Sequence, residues 1–439
     1  MRARGAAPSS PTHAPRVESR PDETMRHVII GAGPAGVVAA ETLRQSGRPD
    51  EVFLLGDEPE PPYSRMALPY LLAENVGESG THLRHGNAHF QKLAIEVRNE
   101  RVRRIDTSNR LTILENGHEI AYDRLLIATG AHPVKPPIRG MNSEGIENCW
   151  TLADARRILA AAKPGSRVVL MGAGFIGCIV LEALAARRVE LVVVEMADRM
   201  LPRMMDETGG AMIARWCESK GVPVRTGTRV TEIARTNGNL TLAVDEGDPI
   251  EADLVVCATG VAPNIDFLTD SGLECGDGIL VDHRLRTSIE HIYAAGDVAQ
   301  GPDFSTGGRE VHAIQPTAVE HGRIAALNMA GIDTPFRGSL SMNVLNTLGL
   351  VSSSFGLWMG TEGGERAVAA DATRSRYLRL EFEEDRIVGA LALGLTQHVG
   401  VLRGLIQTRV RLGAWLRKLR EDPNQVMNAY LECTQGSGR

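Results

Sequence analysis

HVIIGAGPAGVVAAETL, residues 27 to 43, decides how the rest of the chain is read. An apolar, β-branched run turns on Gly31, Gly33 and Gly36, with Pro34 and Ala35 between the last two, and enters an alanine-rich stretch of helical spacing. Three glycines alone are a weak signal, but a strand before them, a helix after them and an acidic strand end further on supply the required context. The first glycine makes a tight turn, the second lets backbone approach a pyrophosphate, and the third lets helix pack on strand. The helix start then presents free N–H groups and partial positive charge to the phosphates.

The same organisation occurs twice. The first unit continues through EVFLLGDE (51–58) and closes on YDRLLIATGAHP (122–133); the second runs RVVLMGAGFIGCIVLEAL (167–184), LVVVEMADRMLPR (191–203) and ADLVVCATGVAPN (252–264). ILVDHRLRTSIEHIYAAGDV (279–298) reads as a strand that resumes the first unit, so the second is inserted into it. AIQPTAVEHGRIAALNMAG (313–331) reads as a helix begun by Pro316 and ended at Gly331. From Pro335 the texture changes to short β-type runs followed by a basic amphipathic helix, a third domain of α+β type. The expected fold is α/β: two Rossmann-like dinucleotide-binding domains, at 25–145 with 265–332 and at 146–264, plus a C-terminal interface domain at 333–439.

Composition agrees with a multidomain protein. A chain of 439 residues with 43% hydrophobic content can build two or three cores. A net charge of −6, with Lys and Arg spread along the chain, gives no basic excess to grip a phosphate backbone, so nucleic acid is excluded as a partner. No apolar run approaches the ~18 residues of a membrane span. The six cysteines lack metal-ligand spacing, and His82, His85 and His89 lack a fourth ligand, so no metal site is expected. Residues 1–24, rich in Arg, Pro and Ser without an apolar core, read as a disordered tail rather than a signal peptide, and the expected location is the cytoplasm.

The strand ends distinguish the two nucleotides. Glu195 closes LVVVE, where a carboxylate can bond both ribose hydroxyls and repels a 2′-phosphate. This favours NADH over NADPH, a preference weakened by the nearby Arg199 and Arg203. In the first unit either Asp57 or Glu58 can hold the adenosine ribose.

The order GAGPAG, YDRLLIATG, GAGFIG, CATG, IYAAGD resembles the pyridine nucleotide-disulfide oxidoreductase superfamily, over residues 26 to about 430. The resemblance implies that the first unit binds FAD and the inserted one NAD(P)H. It assigns Gly31, Gly33, Pro34, Ala35, Gly36, Ala128, Thr129, Gly130, Gly296 and Asp297 to FAD, the aspartate on the ribityl chain, with Gln315 near the pyrimidine end of the flavin. Gly172, Gly174, Phe175, Ile176, Gly177 and Gly260 fall to NAD. GDEPEPPYSR (56–65) looks most like the ferredoxin-, rubredoxin- and nitrite-reductase flavoproteins, whose matching arginine, here Arg65, contacts FAD.

MALPY, residues 66–70, resembles the NADH oxidase and coenzyme A-disulfide reductase branch, whose catalytic cysteine falls at Met66. Methionine forms neither thiolate nor mixed disulfide, so thiol chemistry is excluded there. No cysteine precedes Cys149 and the C-terminal domain has no H-P-x-x-E segment, so the glutathione-reductase chemistry is missing as well. No catalytic side chain is therefore assigned. The ferredoxin-reductase pattern also has a lysine and a glutamate near the flavin N5 edge, and those positions hold Tyr70 and Ile179; loss of both removes an ion pair without stranding either charge. Tyr63 or Tyr70 is then a candidate to flank the isoalloxazine. The expected reaction is NAD(H)-linked electron transfer through FAD to an iron–sulfur carrier, or within a complex that oxidises an aldehyde or 2-oxoacid. The arginine-rich segment 402–420 is a candidate docking face, and the C-terminal domain the expected site of self-association. A stand-alone NADH oxidase or small-molecule reductase and an NADH-sensing protein of the apoptosis-inducing-factor kind are the alternatives.

Overall fold

The computed structural model describes residues 24–435 apart from 87 and 237, so the expected tail lies, save for Thr24, outside the described residues. The opening motif forms the fully buried strand Arg26–Ile30 and the helix Pro34–Gln45. Gly31 sits at φ +113°, and its N–H donates to the Leu55 carbonyl at 2.7 Å. A Cβ on Gly31 would lie 2.1 Å from the Ala128 carbonyl oxygen, and one on Gly36 would lie 1.9 Å from that of Gly31. Backbone occupies the space of the missing side chains, so turn, strand and ATG loop close on one another only with glycine in both places.

The inserted unit repeats this geometry. Gly172 sits at φ +103°, donates to the Val194 carbonyl at 2.8 Å, and a Cβ on it would lie 2.5 Å from the Ala258 carbonyl oxygen. Gly177 stands against the Gly172 carbonyl as Gly36 does against Gly31.

Each motif sits at the centre of a parallel sheet. The first sheet has the order Ile292–Ala294, Arg124–Ile127, Arg26–Ile30, Glu51–Gly56, Ile95–Asn99. The second has Ile146–Asn148, Leu254–Cys257, Arg167–Met171, Glu190–Val194, Val224–Arg225. The two orders correspond strand for strand. Their outer strands differ in origin, because the first sheet takes Ile292–Ala294 from beyond the inserted unit and the second takes Ile146–Asn148 from that unit's own start. The crossing chains pair as a short antiparallel ribbon, Ala131–Pro133 with Val261–Pro263.

The C-terminal domain is a five-stranded antiparallel sheet, Met342–Thr347, Leu350–Gly356, Arg386–Leu393, Arg376–Glu383, Glu365–Asp371. Along Arg376–Glu383 the alternation is clean: Leu378, Leu380 and Phe382 pack with Leu402, Leu405 and Leu419 of the helices Val399–Gln407 and Trp415–Glu421. On the opposite face Tyr377 joins the apolar cluster of the inserted unit, and the buried Arg379 pairs with Asp206 at 2.9 Å and with Glu381. The expected single basic helix is two. After Gln407 the chain turns through Arg409 at φ +51°, whose guanidinium donates to the Phe304 carbonyl, and Leu412 donates to the Asp385 carbonyl. Tertiary partners capture the turn that apolar spacing alone reads as helix. Among the described residues, no helix is long and apolar enough to cross a membrane.

Gly36→Ala drives a methyl into the Gly31 carbonyl. The variant is expected to lose about 3 kcal/mol or more in urea unfolding, with a second-glycine variant, Gly33→Ala, changing it by no more than about 1 kcal/mol.

Candidate dinucleotide sites

The second glycine of each triplet answers to a different demand. Gly33 and Gly174 have extended backbone, and a Cβ on either would meet nothing within 4 Å. The fold leaves that space empty at the mouth of each helix, Pro34–Gln45 and Phe175–Ala186, where the first-turn N–H groups have no intrahelical partner. A pyrophosphate fits such a cradle. Phe175 and Ile176 are half-buried and pack their side chains into the core of the inserted unit.

Glu195 is buried just past the strand Glu190–Val194, and its two oxygens accept N–H groups from Ala173 at 2.6 Å and Ala197 at 2.8 Å. It braces the glycine turn while standing beside it. Arg199 is engaged with Asp198 at 2.7 Å and the Met205 carbonyl at 3.2 Å, whereas Arg203 is exposed. Gly260 is at φ +127°. In the first unit the register puts Gly56, not an acid, in the place of Glu195, since the two glycine turns bond to the carbonyls of the preceding residues, Leu55 and Val194. Asp57 follows, exposed; Glu58 accepts from the Tyr63 hydroxyl at 2.6 Å and from Arg65 at 2.8 Å.

Around the first cradle the elements meet through residues without bulk. A Cβ on Gly296, which sits at φ +77°, would lie 3.3 Å from that of Ala35 and 3.5 Å from that of Ala318, and Gly322 backs onto the Ala35 carbonyl. This brings the loop after Ile292–Ala294 and the helix Gln315–Met329 against the glycine turn. Gln315, first in that helix, accepts from the Ser64 hydroxyl at 2.6 Å. Burial pushes the Asp297 carboxyl up to about 6, and the positive charge of Arg65 pulls it back. Ala128 is buried over Gly31, while Thr129 and Gly130 are tied to Asn264, whose side-chain amide donates to the Thr129 carbonyl at 2.7 Å.

Arg65 stands where the two units join. It donates to the Trp150 carbonyl at 2.7 Å, and its guanidinium lies 5.3 Å from the Trp150 ring and 5.7 Å from the Tyr63 ring. The Tyr63 hydroxyl also accepts the Leu152 N–H at 3.3 Å, and burial raises its pKa. Tyr70, by contrast, is 59% exposed, and Ile179 is half-buried in the inserted unit's cluster. Sequence reading missed Ser64, Trp150 and Asn264. Asn264 was legible as the end of ATGVAPN, but Trp150 contributes a backbone carbonyl, which no side-chain pattern reveals.

Four of the six thiols are buried, two of them beside the second glycine turn, where Cys178 donates to the Ala173 carbonyl at 3.5 Å and Cys257 precedes Ala258. Cys149, Cys178 and Cys217 are buried; burial pushes the first and third up to about 12 and the second well above its ordinary value. Cys275 and Cys433 are raised by the same cause, while Met66 is 43% exposed. His89 is bound to Glu41 at 2.7 Å, and among the described residues no three His, Cys, Asp or Glu side chains gather as metal ligands.

Two cradles of this kind, one on each of two matched parallel sheets, define a two-dinucleotide oxidoreductase fold. The sequence pattern of the pyridine nucleotide-disulphide oxidoreductase family matches residues 25–322, and the chain belongs to that family. The chain is 30% identical to the NADH-dependent phenylglyoxylate dehydrogenase subunit epsilon of Aromatoleum evansii, over 89% of this chain and 93% of the relative. It is 31% identical to the ferredoxin–NAD(+) reductase component of the biphenyl dioxygenase system of Paraburkholderia xenovorans LB400, over 88% and 94%. Among solved structures, a NAD-dependent persulfide reductase from A. fulgidus superposes with a TM-score of 0.82 at 28% identity, covering 89% of this chain and 78% of that one.

Gly33→Val fills the open cradle, so the variant should unfold like the parent apoprotein yet retain no yellow cofactor on gel filtration. Asp297 offers a pH test. Its folded-state pKa of about 6 lies above the ordinary 3.8, so its favourable contribution to apoprotein stability is full below pH 3.8 and is lost as pH rises through 6. Asp297→Asn should remove that fall, which urea titrations at stepped pH will show.

Proposed function

We propose that this protein is an FAD-dependent NAD(H) oxidoreductase that moves electrons between a nicotinamide and an iron–sulfur protein, either a free carrier or a subunit of a larger dehydrogenase. The observation that carries the reading is the doubled glycine cradle, one on each parallel sheet, in a chain with Met66 where a reactive cysteine would stand. Hydride exchange between two rings needs position and no acid, base or nucleophile from the chain. FAD, when bound, supplies the step from two-electron nicotinamide to one-electron carrier. The relatives' names point the same way, as one is a ferredoxin reductase component and another a subunit of an NADH-dependent dehydrogenase.

The chain's own residues then act by holding. The turn at Gly31–Gly36 and the start of its helix receive the FAD pyrophosphate, and Arg65 adds a planar, permanently charged fork beside it. Asp57 or Glu58 takes the adenosine ribose, and Asp297, close to Arg65, meets the ribityl hydroxyls. The N-terminus of Gln315–Met329 stabilises negative charge at the pyrimidine edge. In the second unit Gly172–Gly177 receives the nicotinamide dinucleotide, Gly260 leaves room beside it, and Glu195 selects NADH by bonding ribose hydroxyls and repelling a 2′-phosphate. The C-terminal domain is the surface for self-association. Six free cysteines suit work in the cytoplasm.

Stopped-flow mixing of FAD-loaded protein with NADH, followed by a ferredoxin or rubredoxin, tests the reading. Flavin bleaching followed by carrier reduction is expected; bleaching that only oxygen reverses would overturn the carrier assignment. Glu195→Ala should lower kcat/KM for NADH about tenfold relative to NADPH, measured as the ratio of the two in parallel assays.

A further inference from the structure

Residues 63–76 lie in sequence within the first unit, between the strands Glu51–Gly56 and Ile95–Asn99, yet they pack elsewhere. Tyr63, Leu68, Leu71 and Leu72 are buried in the apolar cluster of the inserted unit, among Leu152, Val180, Leu181 and Leu184, and the short helix Leu68–Leu72 lies against the helices Leu152–Ala161 and Phe175–Ala186. The segment's start is shared between the units, since Ser64 donates to Gln315 and Arg65 to Glu58 of the first, and its end is fastened to the second. At one end Arg65 donates to the Trp150 carbonyl and Leu152 to the Tyr63 hydroxyl. At the other stands Arg187, whose side chain is 9% exposed.

Arg187 ends the helix Phe175–Ala186, which begins at the second glycine cradle. Its Nε donates to the Ala162 carbonyl at 2.9 Å and one terminal nitrogen to the Leu159 carbonyl at 3.4 Å, both at the end of Leu152–Ala161. The other terminal nitrogen donates to the Leu72 carbonyl at 3.2 Å and to Glu74 at 2.7 Å. One guanidinium thus gathers the last carbonyls of two helices at the end of a third, where unpaired carbonyls carry negative charge and a buried cation finds its partners. Only the planar fork of arginine reaches all of them; an ammonium cannot.

We propose that Arg187 is a positioning residue for flavin–nicotinamide electron exchange: it fixes the end of residues 63–76 to the nicotinamide unit, while Ser64 on Gln315 and Arg65 on Glu58 hold the start to the flavin unit, so that the segment sets how the two units approach. This rests on the proposed function for its redox consequence, and on the structure alone for the attachment. Loss of Arg187 frees the segment and with it the approach of the two cofactors, an error of the size that costs on the order of tenfold to a hundredfold in rate.

Hydrogen–deuterium exchange on the apoprotein tests the attachment. In the parent, residues 63–76 should gain protection when NADH is added, together with the helix Phe175–Ala186; in Arg187→Met they should not, while the strand Arg26–Ile30 stays protected in both. Arg187→Lys, which keeps the charge and loses the fork, should fall between. In FAD-loaded protein, Arg187→Met should slow flavin reduction by NADH at least tenfold, yet leave unchanged the rate at which dithionite-reduced protein passes electrons to ferricyanide. Protection of 63–76 that is the same in Arg187→Met as in the parent, or equal slowing of both half-reactions, would overturn the proposal. If the parent itself binds FAD but is not reduced by NADH, the proposed function falls, and the exchange arm still decides the attachment.

Discussion

The whole arrangement depends on two carbonyl oxygens that occupy the space of absent side chains. Ala128 O lies 2.1 Å from where a Cβ on Gly31 would be, and Ala258 O lies 2.5 Å from that of Gly172. Each contact locks a glycine turn beneath its own ATG loop. The loops in turn begin the ribbon Ala131–Pro133 with Val261–Pro263, which joins the two units. Cradle and sheet centre are consequently one construction, made twice and joined by a single ribbon. At Gly33 and Gly174, by contrast, a Cβ would meet nothing within 4 Å.

Much of this was legible because glycine demands are local. A strand, three glycines and an alanine-rich helix fix φ, spacing and burial within a few residues, and the second copy supplied the internal check. The helix Gln315–Met329 was read almost to its ends from Pro316 and Gly331. What could not be read was non-local. The break after Gln407 is set by Phe304 and Asp385, distant in sequence, against an apolar spacing that favours helix. The packing of Leu68, Leu71 and Leu72 on the inserted unit is likewise invisible to periodicity, which shows that a face is apolar but not what covers it.

The positions that make up the candidate site were legible to a similar extent. The glycines, Ala128–Gly130, Gly296, Asp297, Gln315 and Arg65 are linked in space by contacts as different as Ala35 against Gly296 and Ser64 on Gln315. Glu195, read from the sequence as a ribose ligand, accepts the Ala173 N–H, so its carboxylate is engaged within the glycine turn. The choice between Asp57 and Glu58 takes on physical form: Glu58 is bound by Tyr63 and Arg65, and Asp57 faces solvent. Backbone acceptors such as Trp150 leave no trace in side-chain patterns, and the join between the units was therefore the least readable part.

Met66 gives the proposed function its sharpest consequence: electrons rest on the flavin and on no thiol at that position. Anaerobic titration of FAD-loaded protein with NADH measures this directly. Complete reduction with one NADH per FAD is expected, unchanged after alkylation of accessible thiols. A second equivalent taken up per FAD would reveal a further redox centre in the chain and contradict that expectation.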